Sequence, residues 1–403
     1  GQYSTIGGGW DNEASNHWSF VGGGYFNTAS GYFSTVSGGI FNTASSYYST
    51  VSGGYCNTSY NKFSTIVGGD RNTSYGYYSF IGGGCNNVSN NKASTVSGGE
   101  FNTSIGDYAT INGGYNNTAS GYFSFVGAGN FNTASGYIST VSGGRGNTSS
   151  NQYATIAGGS FNTASSYHST VSGGYRNTSY SRCSTIGGGC GNTTSGYAST
   201  ISGGYGNTTS SYSYYSTISG GYCNVVFGYS SAVGGGYHNT SYDNSSFVGG
   251  GKFNTSSGQY SFLGGGIGNQ AIGAASSIGG GWYNTVSGYN SVIGGGCRNI
   301  SYDNYSTISG GLCNTTQNQY SSIVGGYRNV SDGNYSGILG GQYNNINTYD
   351  KTFIVGSNIT ADRACATFVN NLSIMDIPTS AAGLPPGSVS VSYTHLTLPT
   401  IYS

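Results

Sequence analysis

The residues able to do chemistry are few and scattered. Eight Cys (56, 85, 183, 190, 223, 297, 313 and 365) show no CxxC pair and no Cys/His spacing of a metal site. Cys183 with Cys190, or Cys297 with Cys313, are the pairs expected to approach one another; otherwise the thiols read as unpaired occupants of variable positions. The four His (17, 168, 238 and 395) accompany no repeated acid or nucleophile. Asp243 and Asp303 sit in SYDNS and SYDNY, whereas a calcium β-roll needs a dense acidic motif in every repeat. Gly runs such as Gly22–Gly24 lack the Lys-Ser/Thr ending of a phosphate loop. No catalytic, cofactor-binding or metal site is expected, and the chain reads as a non-enzyme.

Composition narrows the class. Of 403 residues 75 are Gly and 39 Tyr, charged residues are 5%, and net charge is +0. Collagen would need Gly at every third position and abundant Pro, but there are only four Pro. Disorder would need few aromatics and high net charge, but aromatics are 15%. Without a basic cluster, nucleic acid is not an expected partner. No apolar run is long enough to span a membrane. The chain opens in mid-repeat and its single Met is Met375, so it reads as a segment of a longer protein, with any targeting segment lost.

What must position the side chains is a repeat. The Asn of GGxxN recurs every fifteen residues from Asn12 to Asn207 and again from Asn224 to Asn344. That makes 23 anchors with one two-residue slip, absorbed in Ser210–Tyr215. A typical unit is YFSTVSGGIFNTASS, Tyr32 to Ser46. Counting from the anchor, position −6 is always Ile, Val or Leu, −8 is Ser or Ala, and +2 is small or β-branched. Positions −4 and −3 are Gly-Gly, apart from Ala128.

Restriction at alternate positions is the mark of β-strands. Even offsets are expected to face inward and odd ones outward, with two short strands and two turns per coil. Coils that cannot bury a core alone must stack, which predicts a parallel β-solenoid of 23 coils. At ~4.8 Å per coil the rod is roughly 110 Å long. The anchors are expected inside as a self-stacking amide ladder. Their N-x-(S/T) sequons, such as Asn57-Thr58-Ser59, would then be inaccessible to glycans.

Two outward features could bind. Position −9 is aromatic in 14 of the 23 coils, as Tyr3, Trp18, Phe33, Tyr48, Phe63 and Tyr78 begin to show, and reads as a self-association stripe. The competing reading is stacking along a solvated face. Thr ladders run at −7 (Thr5, Thr35, Thr50, Thr65) and at +1 (Thr28, Thr43, Thr58, Thr73). Such arrays suit ice or another lattice. Phe20, Phe80, Phe125, Phe247 and Phe262 interrupt the first ladder, and ordinary β-propensity of Thr is the simpler account.

The repeat ST(V/I)SGGxxNTASG, over Gly1 to Asn345, resembles the YadA-like head repeat of trimeric autotransporter adhesins. That repeat is nearer fourteen residues; here it is fifteen, with an added Asn anchor. The resemblance implies a left-handed parallel β-roll, a homotrimer, and adhesion to a host surface protein or glycan. Ala366 to Val389 (ATFVNNLSIMDIPTSAAGLPPGSV) resembles the distal stretch of phage and large-virus tail-fibre proteins. VSYTHLTLPT, Val391 to Thr400, resembles translated sequencing-adapter read-through. The expected organisation is thus a β-roll over 1–345, a transition or neck over 346–390, and an assembly artefact over 391–403. The expected place is a cell surface, outer membrane or virion. The expected role is a structural or adhesive fibre, with a lattice-binding solenoid as the alternative.

Overall fold

In the computed structural model, residues 1–371 are described; the end of the fibre-like stretch and all of Val391–Ser403 lie outside them. Within 1–371 every regular element is a β-strand, nearly all of two residues, and every strand pairing is parallel. The first sheet takes positions −7 and −6 of each coil, from Thr5–Ile6 to Gly337–Ile338, then Phe353–Val355 and Thr367–Val369. The second takes +1 and +2, from Glu13–Ala14 to Val330–Ser331. Register partners lie fifteen residues apart, as in Thr35↔Thr50 and Thr43↔Thr58. The slip is absorbed without loss of pairing, since Ile201 pairs with Ile218 and Thr209 with Val226. Parallel pairing also outlasts the last anchor, with Gly337↔Phe353 and Phe353↔Thr367 in coils of uneven length.

A third ladder was not expected. Position −2 makes single-residue parallel bridges from Trp10↔Tyr25 to Tyr327↔Gln342. This corrects the alternation rule: −2 is an even offset, yet Trp10, Tyr25, Ile40 and Tyr55 are exposed. The Gly-Gly bend before it resets the alternation, so inward parity holds only within each strand.

The two glycines of that bend are not equivalent. Gly173 is unstrained, and a methyl group there would meet nothing, which explains how Ala128 is accommodated at this position. Gly174 has φ +89°, and a methyl group would overlap the Gly189 carbonyl oxygen of the next coil.

Inside, the −6 column (Val36, Val51, Ile66, Ile81) is fully buried. In many coils the Ser of −8 turns back on its own corner, as where Ser34 Oγ donates to the Gly31 carbonyl at 2.7 Å; in others it reaches the next coil, as where Ser231 Oγ donates to the Asp243 carbonyl at 2.7 Å. The anchors are buried too, and they fasten backbone more than one another. Asn192 Nδ2 donates to the Gly188 carbonyl at 2.9 Å and to Gly204 of the next coil at 3.0 Å. Its Oδ1 accepts the Asn207 backbone N–H at 2.9 Å. Direct amide-to-amide bonds, such as Asn192 Nδ2 to Asn177 Oδ1 at 3.1 Å, occur in only some coils.

Asn192→Ala removes both donations and orphans a buried N–H, so stability should fall by about 2–4 kcal/mol. Outward Thr193→Val should stay within about 0.5 kcal/mol. Urea unfolding followed by circular dichroism compares them. Gly173→Ala should unfold like the parent, whereas Gly174→Ala should lose about 3 kcal/mol or more, or open the rod to protease there.

Candidate interaction surfaces

Two corners of the coil carry the aromatic residues, and both depend on unusual backbone. Positions −9 and −1 adopt φ near +55° although most are not Gly: Phe33 +53°, Tyr48 +52°, Phe41 +58°, Phe101 +56°. The left-handed residue turns its N–H towards the preceding coil. Tyr48 N donates to the Tyr32 carbonyl and Cys56 N to the Ile40 carbonyl, both at 2.9 Å, which continues the alternation of the strands, where −7 N–H groups face the following coil and −6 N–H groups the preceding one. This conformation costs a non-Gly residue about 1 kcal/mol. The bond and the ring stacking that accompany it oppose that cost.

The six residues singled out at −9 are all exposed and form one column. Ring centroids are 4.4 Å apart for Tyr3–Trp18, 6.3 Å for Trp18–Phe33, 4.8 Å for Phe33–Tyr48, 5.2 Å for Tyr48–Phe63 and 4.9 Å for Phe63–Tyr78. The rings stack along the rod, and their edges face outward. Most ring faces are covered by the next ring, which leaves edges and phenol hydroxyls for a partner.

The second corner, at −2 and −1, went unrecognised because −2 was assigned inward. Tyr25, Phe26 and Phe41 cluster there, with centroids 4.5, 5.9 and 5.4 Å apart. The available signal was chemical: Trp10, Asp70, Glu100 and Lys252 at −2 are too large or too polar for a narrow interior. Cations share these corners. Between Lys62 and Arg328 every Lys and Arg lies at −10, −2 or −1. Lys62 sits over Tyr47 at 5.6 Å and Arg182 over Tyr167 at 5.0 Å.

The outer face of the first sheet is different in kind. Positions −7 and −5 carry no charged residue from Thr5 to Leu339. Each Phe that interrupts the −7 Thr row is followed two residues later by Gly: Gly22, Gly82, Gly127, Gly249 and Gly264. A Cβ on Gly82 would meet Phe80 Cε1 at 3.5 Å, and one on Gly264 would meet Phe262 Cε1 at 3.6 Å. The ring edge thus lies close to the Gly two residues on, although the atom such a Cβ would meet first is a backbone carbonyl of the next coil.

The thiols are free. Cys183 and Cys190 occupy different corners of one coil, at −9 and −2, so the repeat keeps them apart. Cys297 and Cys313 lie diagonally on adjacent coils, where Cys313 N donates to the Cys297 carbonyl at 2.9 Å. Cys85 is the perturbed thiol: desolvation, then the neighbouring Asp70 and Glu100 carboxylates, push its pKa up. Reactive thiols need the opposite shift. Among the described residues no group of three or more His, Cys, Asp or Glu comes together, and no helix is long and apolar enough to cross a membrane.

With its pKa raised, Cys85 holds less thiolate at any pH below that value. Its alkylation by iodoacetamide at pH 8 should be several-fold slower than that of a free small-molecule thiol, and should catch up as pH rises. Peptide mass mapping over time reads this directly. Comparison with protein-family models finds none that matches the chain, and comparison with curated proteins finds no match.

Proposed function

We propose that this chain is a non-enzymatic shaft of a structural or adhesive fibre, self-associated side by side as a homotrimer at a cell surface or virion. The observation that carries the reading is the continuous axial pairing from Thr5 to Val369. A body built this way is a spacer: length comes from coil number, and lateral surface is repeated rather than localised. The YadA-like and tail-fibre resemblances of the sequence point the same way. The self-association surface is the −9 column together with the uncharged face beside it. At roughly 110 Å by about 10 Å, from coil spacing and strand rise, that strip offers about 1,000 Å² per chain. Stable interfaces use about 800 Å² per partner. The strip's own columns at −9, −7 and −5 carry no charge to desolvate, and Lys62, Lys92, Asp107 and Arg182 at −10 border it. The corner bearing −2 and −1, with its cations and aromatic edges, is left to face a host protein or glycan.

An uncharged Thr face also suits a regular lattice, and one experiment separates the two readings. Sedimentation equilibrium of the intact chain should give a trimer. Replacing Phe33, Tyr48 and Phe63 together by Ser should weaken it by about 100-fold or more, with the β circular dichroism retained. A monodisperse folded monomer of the parent chain would overturn the trimer and leave the Thr face free for lattice binding.

A further inference from the structure

The column that ends the −9 row consists of tyrosine alone. Tyr305, Tyr320 and Tyr335 follow one another on adjacent coils, with centroids 4.9 and 4.8 Å apart and planes within 2° and 4° of parallel. Their exposures are 44%, 44% and 56%. An independent column stands at the other corner, where Tyr205, Tyr222 and Tyr237 are 5.0 and 5.0 Å apart at 6° and 8°. There the backbones are themselves bridged, Tyr205↔Tyr222 and Tyr222↔Tyr237, so the phenols are held at coil spacing. Phe would stack as well. What tyrosine adds is an oxidisable hydroxyl next to another; both columns are exposed in a single chain, and the −2 column Tyr205–Tyr222–Tyr237 stays so when the −9 column is packed in the proposed trimer.

We infer that these tyrosine columns are sites of oxidative cross-linking, which joins adjacent coils through dityrosine bonds when a peroxide and a haem peroxidase supply the oxidising equivalents. Each of two stacked phenols gives up one electron and its hydroxyl proton, leaving a phenoxyl radical with spin on the ring carbons ortho to oxygen. Two ortho carbons join, and each then passes its hydrogen to its own oxygen, restoring the phenols. In sum two ortho C–H bonds break, one C–C bond forms, and one hydrogen peroxide becomes two waters. Fixed neighbours raise the effective concentration of the second radical far above that in solution. The product is a covalent rung in a rod whose coils otherwise depend on hydrogen bonds and packing with their immediate neighbours.

The test treats dilute intact chain with haem peroxidase and hydrogen peroxide, then reads dityrosine fluorescence and maps cross-linked peptides by mass. Expected are intrachain links Tyr305–Tyr320, Tyr320–Tyr335, Tyr205–Tyr222 and Tyr222–Tyr237. The yield should be at least tenfold that of N-acetyltyrosinamide at equal phenol concentration. Tyr320→Phe keeps the ring and should remove the first two links while sparing the others. Tyr212 is the internal control, since at 81% exposure and outside every ring stack it is the phenol that exposure alone would select among the described residues. Links that run mainly through Tyr212, links found only between chains, or a yield no higher than the free amide would overturn the inference.

Discussion

A coil of fifteen residues with two-residue strands cannot satisfy its own backbone, so every coil depends on hydrogen bonds to the coils above and below. Buried peptide groups left unpaired are costly, and this constraint governs the rest of the molecule. The strands give their N–H groups alternately to the following and the preceding coil, and the left-handed corners give theirs to the preceding one. The Asn column supplies what the strands do not reach, since each amide takes the bend carbonyls of its own coil and of the next. An amide is the group that can do this, because it donates twice and accepts with the same planar head.

The axial bonding also accounts for what the surface is made of. Once the interior is reduced to Ile, Val, Leu, Ala, Ser, Thr and Asn, aromatic and charged side chains have only the corners and outer faces to occupy. Stacked at coil spacing, aromatic residues cover one another, and cations settle on ring faces. On the sheet face each Phe of the −7 row is followed two residues later by Gly, and many of the Thr by Ser. Among the described residues, regular lateral surfaces without long loops follow from one repeated unit.

Much of this was legible in the sequence. The Asn12–Asn207 and Asn224–Asn344 series set the coil length and placed the slip, and the invariant Ile/Val/Leu at −6 marked the core. The −9 stripe was found because it alternates regularly with Ser at −8 and Thr at −7. The −2 corner was not found, because its residues vary and the Gly-Gly bend changes which parity faces inward. The left-handed backbone at Phe33 or Tyr48 was likewise hidden, since aromatic residues ordinarily avoid it. Nor did the glycine pair announce that only its second member is obligatory; Ala128 was the one hint.

By itself, then, the sequence determined the period, the inward columns and the parallel stacking. Each of these follows from side-chain size and polarity repeating at fixed intervals, which needs no knowledge of the bend angles. The tertiary structure decided the third ladder, the left-handed backbone of the corners, and the neighbours of each exposed ring. Those depend on where the chain turns and which way a peptide faces after the turn. Backbone torsions settle that under the demand that each coil meet the next in register.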